Sequence, residues 1–183
     1  MEPATEVGRP LVVDEVADEV VVELPAVMGR QRDFESFYRS QWESVYRPLA
    51  VTLRDADLAR EAVDEGMIRA YRHWRKVRGY RNQAGWVYRV SFNWAISQMR
   101  RRKREVFVRR PVEDPQPAHH PPVDLYDALS ALDLKHRAVI VLRYLLDWSE
   151  EDVADALGIA PGTVKSRLSR AMDKLRNELT WTD

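Results

Sequence analysis

The stretch "PVEDPQPAHHPPVD", Pro111 to Asp124, carries five prolines in fourteen residues. Each proline lacks a backbone N–H and fixes its own φ, so a run this dense supplies neither a helix interior nor a sheet ladder. Whatever folds in this chain must therefore fold on one side of that stretch or the other. Residues 108–123 read as a linker between two small domains, 31–107 and 124–183, with residues 1–30 as a flexible acidic extension. His119 and His120 fall inside the linker; no further ligand stands at a fixed spacing from them, so they are read as linker residues and not as a metal site.

Both flanks show helical periodicity. Phe34, Phe37, Tyr38, Trp42, Val45 and Leu49 recur at three- and four-residue steps and predict an amphipathic helix from Asp33, with Pro48 kinking it or opening the next one. A second helix is expected from about Asp57 to Trp74, and a third from about Ala84 to Glu105, after the polar "RGYRNQAG". Beyond the linker, Leu125, Leu129 and Leu132 begin a new helical set. No pair of alternating runs with hairpin punctuation occurs. The expected fold class is all-α: two small helical domains, the second a helix-turn-helix, joined by a Pro-rich linker.

Absences narrow the chemistry. The chain has no cysteine, which removes disulfides, thiolate zinc sites and cysteine nucleophiles. No nucleophile stands with a base in a recognisable arrangement, so no catalytic residue, metal or cofactor is expected. No apolar run approaches the roughly 20 residues that span a bilayer, and the N-terminus lacks the order of a signal peptide. A cytoplasmic protein without membrane insertion is expected.

The segment "SEEDVADALGIAPGTVKSRLSRAMDKLR", Ser149 to Arg176, is the most informative. Ser149 before Glu150, Glu151 and Asp152 makes a capping-box-like start. Val153, Ala154 and Leu157 supply an apolar face, Gly158 ends the helix, and Pro161 suits the first turn of the next. In that next helix Val164, Leu168, Ala171 and Leu175 share one side. At about 100° per residue, Ser166 and Ser169 point the other way, flanked by Thr163, Lys165 and Arg170, with Arg167 nearer the edge. Small hydroxyls and long cations are the set that contacts base edges and phosphates in a major groove. Ala154 facing Gly158 lets the two helices cross closely.

Net charge is zero, yet residues 1–30 hold seven acids against two arginines, and residues 69–110 hold fourteen Lys or Arg against the lone acid Glu105. That separation points to a polyanion-binding middle segment. Within it, the third helix is apolar on two arcs, and Arg89, Asn93, Ser97 and Arg100 form a polar stripe between them. The loop before it offers Tyr80, Arg81 and Asn82, an aromatic ring beside cations and an amide, suited to an unstacked base. The second helix presents Ala59, Val63, Met67, Ala70 and Trp74 as its core face. Asp57, Glu61, Asp64 and Glu65 lie outside with Leu58 and Ile68 among them, a protein-docking pattern.

Three segments in order resemble the extracytoplasmic-function (group 4) sigma factors of bacterial RNA polymerase. "DLAREAVDEGMIRAYRHW" is similar to the core-binding region 2 helix, "GWVYRVSFNWAISQMRRRKR" to the minus-10 recognition helix, and "LSALDLKHRAVIVLRYLLDWSEEDVADALGIAPGTVKSRLSRAMDKLR" to region 4. Asp64 and Gly66 stand where the family has a glutamine and a bulky apolar residue. The resemblance implies a region 2 bundle over 31–107 and a region 4 helix-turn-helix over 124–183. It further implies that Asp57, Leu58, Asp64, Glu65, Ile68 and Arg69 contact the largest-subunit clamp coiled coil of core RNA polymerase, with the flap as a second contact. Arg89 and Asn93, with the Tyr80–Asn82 loop, would meet the melted minus-10 strand, and Lys165, Ser166, Arg167 and Arg170 the minus-35 duplex. Promoter DNA, duplex and melted, and an anti-sigma factor are the further partners that the family implies. The competing reading is a stand-alone helix-turn-helix regulator that binds duplex as a dimer on two half-sites.

Overall fold

The computed structural model describes residues 24–109 and 125–179, with side chains over 29–104 and 127–177. Eight α-helices and one π-helical turn make up the regular structure of these residues. They are α1 (Leu24–Leu53), α2 (Ala56–Arg72), α3 (Trp74–Val77), α4 (Gln83–Arg109), α5 (Leu125–Ala131), α6 (Leu134–Ile140), the π turn (Val141–Leu145), α7 (Glu150–Leu157) and α8 (Pro161–Leu179). The expected extension 1–30 ends earlier than the sequence suggests, because α1 already runs through residues 24–30. Pro48 lies inside α1 and neither ends it nor starts another helix. Residues 1–23 of the extension, residues 110–123 of the expected linker and residue 124 of the expected second domain lie outside the described residues.

Local chemistry sets the helix starts. The Asp55 carboxylate accepts the Leu58 N–H at 2.9 Å and opens α2. Asp133 accepts the N–H groups of Lys135 and His136, both at 3.0 Å, and opens α6. Each cap satisfies donors that a helix leaves unpaired in its first turn.

α2 lies between α1 and α4, which explains how wide its buried arc is. Leu58, Ala59, Ala62, Val63, Gly66, Met67 and Ala70 are all buried. Leu58 is only 2% exposed, so the expectation of an exposed docking aliphatic there is corrected. A helix with one neighbour hides one stripe, whereas α2 hides two adjoining ones, and burying a leucine contributes about 2 kcal/mol.

Gly66 marks a close approach of α2 to α4. A Cβ there would stand 2.2 Å from Ser91 Oγ and 3.3 Å from the Val87 carbonyl oxygen. Ser91 is fully buried, and its Oγ has no hydrogen-bond partner among the described residues. Gly66→Ala gains about 1 kcal/mol of helix propensity but forces the two helices apart, and overpacking of this kind costs roughly 1–3 kcal/mol. The expected result is a lower midpoint of thermal unfolding, partly restored when Ser91→Ala is added. A rise in the midpoint for Gly66→Ala alone would show that the helices do not meet this closely.

α4 carries its two apolar arcs to different neighbours. Val87 and Ser91 face α2 at Gly66. Tyr88, fully buried, pairs its hydroxyl with Thr52 Oγ1 of α1 at 3.0 Å and meets the edge of Trp148 at 6.3 Å. Trp148 belongs to the second half of the chain, so the halves touch: α4 packs on α7, and α1 packs on α6 and the π turn. One hydrophobic cluster runs from Phe37 through Tyr88 and Leu142 to Leu175.

Candidate nucleic-acid interface

The α7–α8 pair is assembled by its own punctuation. Ser149 Oγ accepts the Asp152 N–H at 3.1 Å and donates to the Asp152 carboxylate at 2.6 Å. This hydroxyl bond, with the charge of Arg81, holds the Asp152 carboxyl below the usual carboxylate range even though partial burial opposes it. Gly158 ends α7 at φ 65°, ψ 40°, and Ile159 N–H returns to the Ala154 carbonyl at 3.1 Å, closing a left-handed C-terminal cap. In α8, Val164, Leu168, Ala171 and Leu175 are buried. Lys165, Ser166, Ser169 and Arg170 are exposed, and Thr163 and Arg167 lie half-buried at the edges. Ser166 Oγ donates to the Thr163 carbonyl at 3.1 Å, and Lys165 Nζ stands 3.8 Å from Glu150.

The second candidate surface is the loop before α4 and the outward stripe of that helix. Arg89, Asn93, Ser97 and Arg100 are all exposed, as the angular layout predicts. Asn82 is partly structural, since its side-chain oxygen accepts the Gly85 N–H at 2.6 Å and caps α4. Tyr80 packs near Trp86, with ring centroids 6.4 Å apart. Tyr80, Arg81, Asn82, Trp86 and Arg89 line a crevice of about 380 Å³. The opposite wall is unexpected: Asp155 of α7 lines the same crevice, and Arg81 Nη2 donates to Asp152 Oδ1 at 2.7 Å.

The third surface is the outer face of α2. Asp57, Glu61 and Ile68 are exposed, Ile68 at 48%, and Asp64, Glu65 and Arg69 are half-buried. Glu65 pairs with Arg69 at 2.8 Å, and Glu61 lies 3.9 Å from Arg102 of α4. Asp64 accepts a 2.8 Å hydrogen bond from the Trp42 indole N–H, so this face continues onto α1. Trp42 stacks on Tyr46 at 4.9 Å, and the Arg60 guanidinium lies over both rings. Tyr38, 39% exposed, borders Asp64, and desolvation followed by that carboxylate's charge raises its phenol pKa above the ordinary value.

Known proteins are similar to this chain in sequence and fold. The family profile described as "Sigma-70, region 4" matches residues 123–175, the α5–α8 half. The RNA polymerase sigma-E factor of Streptomyces coelicolor is 32% identical over 161 residues, covering 85% of this chain and 91% of the relative. The chain belongs to the extracytoplasmic-function sigma factors of RNA polymerase. ECF RNA polymerase sigma factor SigM of Mycobacterium tuberculosis is 28% identical, with 85% of this chain and 81% of SigM covered. Among solved structures, the sigma factor RpoE of Bartonella quintana, crystallised with the anti-sigma factor NepR, superposes with a TM-score of 0.70 at 28% identity. That match covers 83% of this chain and 99% of RpoE. The protein is thus an alternative sigma factor that directs transcription initiation, and the stand-alone regulator reading is not favoured.

Several contacts of this sigma factor are not legible in the sequence. Helical spacing sets Tyr38 and Trp42 on the core side of α1, and only the fold shows them beside Asp64. Arg137, a cation just ahead of the apolar run 138–142, is buried at 7% exposure. Its one signal is position: it follows Asp133 by four residues, on the inward side of a short capped helix.

Proposed function

We propose that this sigma factor grips a bipartite promoter with the two surfaces described above and docks on core polymerase with the third. On this reading the outward arc of α8 enters the major groove of the minus-35 element. Arg167 and Arg170 reach base edges there, while Lys165, Thr163, Ser166 and Ser169 hold phosphates and register. The Tyr80–Asn82 loop and the stripe Arg89, Asn93, Ser97 and Arg100 receive the melted minus-10 strand, the aromatic rings stacking and the cations neutralising phosphates. The face made by Asp57, Glu61, Asp64, Glu65, Ile68 and Arg69, widened by Tyr38 and Trp42, meets the clamp coiled coil of the largest subunit, and the α5–α8 half meets the flap. Leu58 supports that face from beneath.

The observation that carries the reading is the division of α8: four apolar residues turned in, hydroxyls and cations turned out, behind a capped α7. The protein acts by binding and strand capture and works in the cytoplasm; no helix among the described residues is long and apolar enough to cross a membrane. The RpoE–NepR complex supports an anti-sigma partner for this chain as well.

The test is reconstitution. The purified chain added to core RNA polymerase is expected to initiate specific transcripts from a promoter library, with little duplex binding when the polymerase is left out. Tight duplex binding by the isolated chain, with no initiation in the polymerase's presence, would overturn the reading.

A further inference from the structure

The crevice assigned above to the melted strand is already faced by part of the chain itself. Asp152 Oδ1 lies 2.7 Å from Arg81 Nη2. Asp155 lines the crevice beside Arg89. A Cβ on Gly158 would stand 2.9 Å from Arg89 Nη2, so the end of α7 lies directly against that guanidinium. The two cations best suited to phosphates thus face carboxylates and a bare glycine of the helix-turn-helix.

We infer that α7 acts as an internal stand-in for nucleic acid: in the isolated chain Asp152 holds Arg81 while the end of α7 covers Arg89, and the melted strand and α7 compete for one crevice. This rests on the proposed reading of the crevice as the strand site.

Two features argue that the contact is built and not incidental. Asp155 sits in the last turn of α7, where a negative charge opposes the helix dipole, so helix stability does not account for an acid there. The closure is also backed by matched groups away from the charges. Arg137 Nε of α6 donates to the Thr52 carbonyl of α1 at 2.8 Å, and Trp148 sets its ring edgewise to Tyr88. Capturing the strand therefore requires α7 to leave, and a partner that separates the halves raises the fraction of competent molecules. The apparent affinity for the strand scales with that fraction.

The experiment uses the full chain, whose lack of cysteine lets Arg75→Cys and Lys174→Cys, both exposed and away from the crevice, carry a pair of distance labels. Asp155→Lys reverses the charge that α7 presents to the crevice, leaves the Ser149–Asp152 cap intact, and suits the end of the helix. Its expected effects are a longer and broader label distance and about tenfold tighter binding of a fluorescein-tagged, mixed-sequence single-stranded 12-mer. Asp152→Asn, which weakens the Arg81 contact, is expected to move both readings the same way. Unchanged distance and unchanged affinity in both variants would overturn the inference, as would a widened distance with no gain in affinity. The arm that separates the two readings is Arg89→Ala placed on Asp155→Lys. If the halves open but the 12-mer binds equally well with and without Arg89, the crevice is not the strand site and the competition falls with it. If Arg89→Ala weakens binding while Asp155→Lys changes nothing, the strand site stands and only the competition is lost.

Discussion

Replacing Arg137 by alanine is expected to lower the stability of the α5–α8 half by about 3 kcal/mol. The guanidinium is buried and meets carbonyls, not carboxylates. Nη1 donates to Leu129 and Leu132, both at 3.1 Å, and to Ser130 at 3.4 Å, while Nε donates to Thr52 at 2.8 Å. Three of these oxygens belong to the end of α5 and the turn after it, where a helix leaves its last carbonyls unpaired. Burial and then the charge of Arg54 press the guanidinium's pKa below its usual value, and Asp133 opposes them. Removing the side chain takes the guanidinium partner from the buried Leu132 and Thr52 carbonyls, while Leu129 keeps the Leu132 N–H, and each stranded acceptor costs about 1–3 kcal/mol. A unit the size of residues 125–179 has a total stability of only about 3–8 kcal/mol. Denaturant titration followed by the helical circular dichroism signal should therefore show an early transition for the α5–α8 half. Arg137→Lys is expected to recover little, since one ammonium cannot span carbonyls on two elements. Arg137→Met keeps most of the bulk and isolates the hydrogen bonds; a wild-type midpoint for Met would rule out the carbonyl network as the source of stability.

Arg137 also shows where sequence reading stops. The helix-turn-helix was legible because each of its devices is local: Ser149 caps within three residues, Gly158 takes the left-handed conformation itself, and the inward positions of α8 repeat at helical spacing. The outward stripe of α4 was legible for the same reason. The burial of Leu58 is not legible from spacing, because the width of a buried arc depends on how many neighbours a helix has, and α2 has two large ones. The meeting of the two halves was hidden altogether. A Pro-rich run says that it does not itself fold, but nothing about where it delivers its ends. Arg81 and Asp152 are 71 positions apart, and Thr52 and Arg137 are 85 apart. No periodicity spans such intervals, and the docking depends on shape and charge that exist only after both halves have folded.

The second large effect is expected at the tip of the outward arc of α8. Arg170 is exposed and stands one turn beyond Ser166, so Arg170→Ala leaves the buried line of Val164, Leu168, Ala171 and Leu175 untouched. A bidentate arginine contact to a base edge contributes about 1–3 kcal/mol of discrimination, and the loss should appear as a roughly 10- to 100-fold fall in initiation from promoters chosen for their upstream element. Lys165→Ala is expected to behave differently. A phosphate contact carries no sequence preference, so initiation should weaken evenly across promoters, and the slope of log affinity against log salt should fall by about one. Asn93→Ala, on the exposed stripe of α4, should leave closed-complex formation on duplex near its starting level and slow strand opening, read by permanganate reactivity of the downstream element. The three variants divide the work between two surfaces that lie on separate halves of the chain. If Arg170→Ala and Asn93→Ala instead lowered binding to a purely duplex probe by the same factor, the division would be wrong, because a surface that handles only melted DNA has nothing to lose on a probe that never opens.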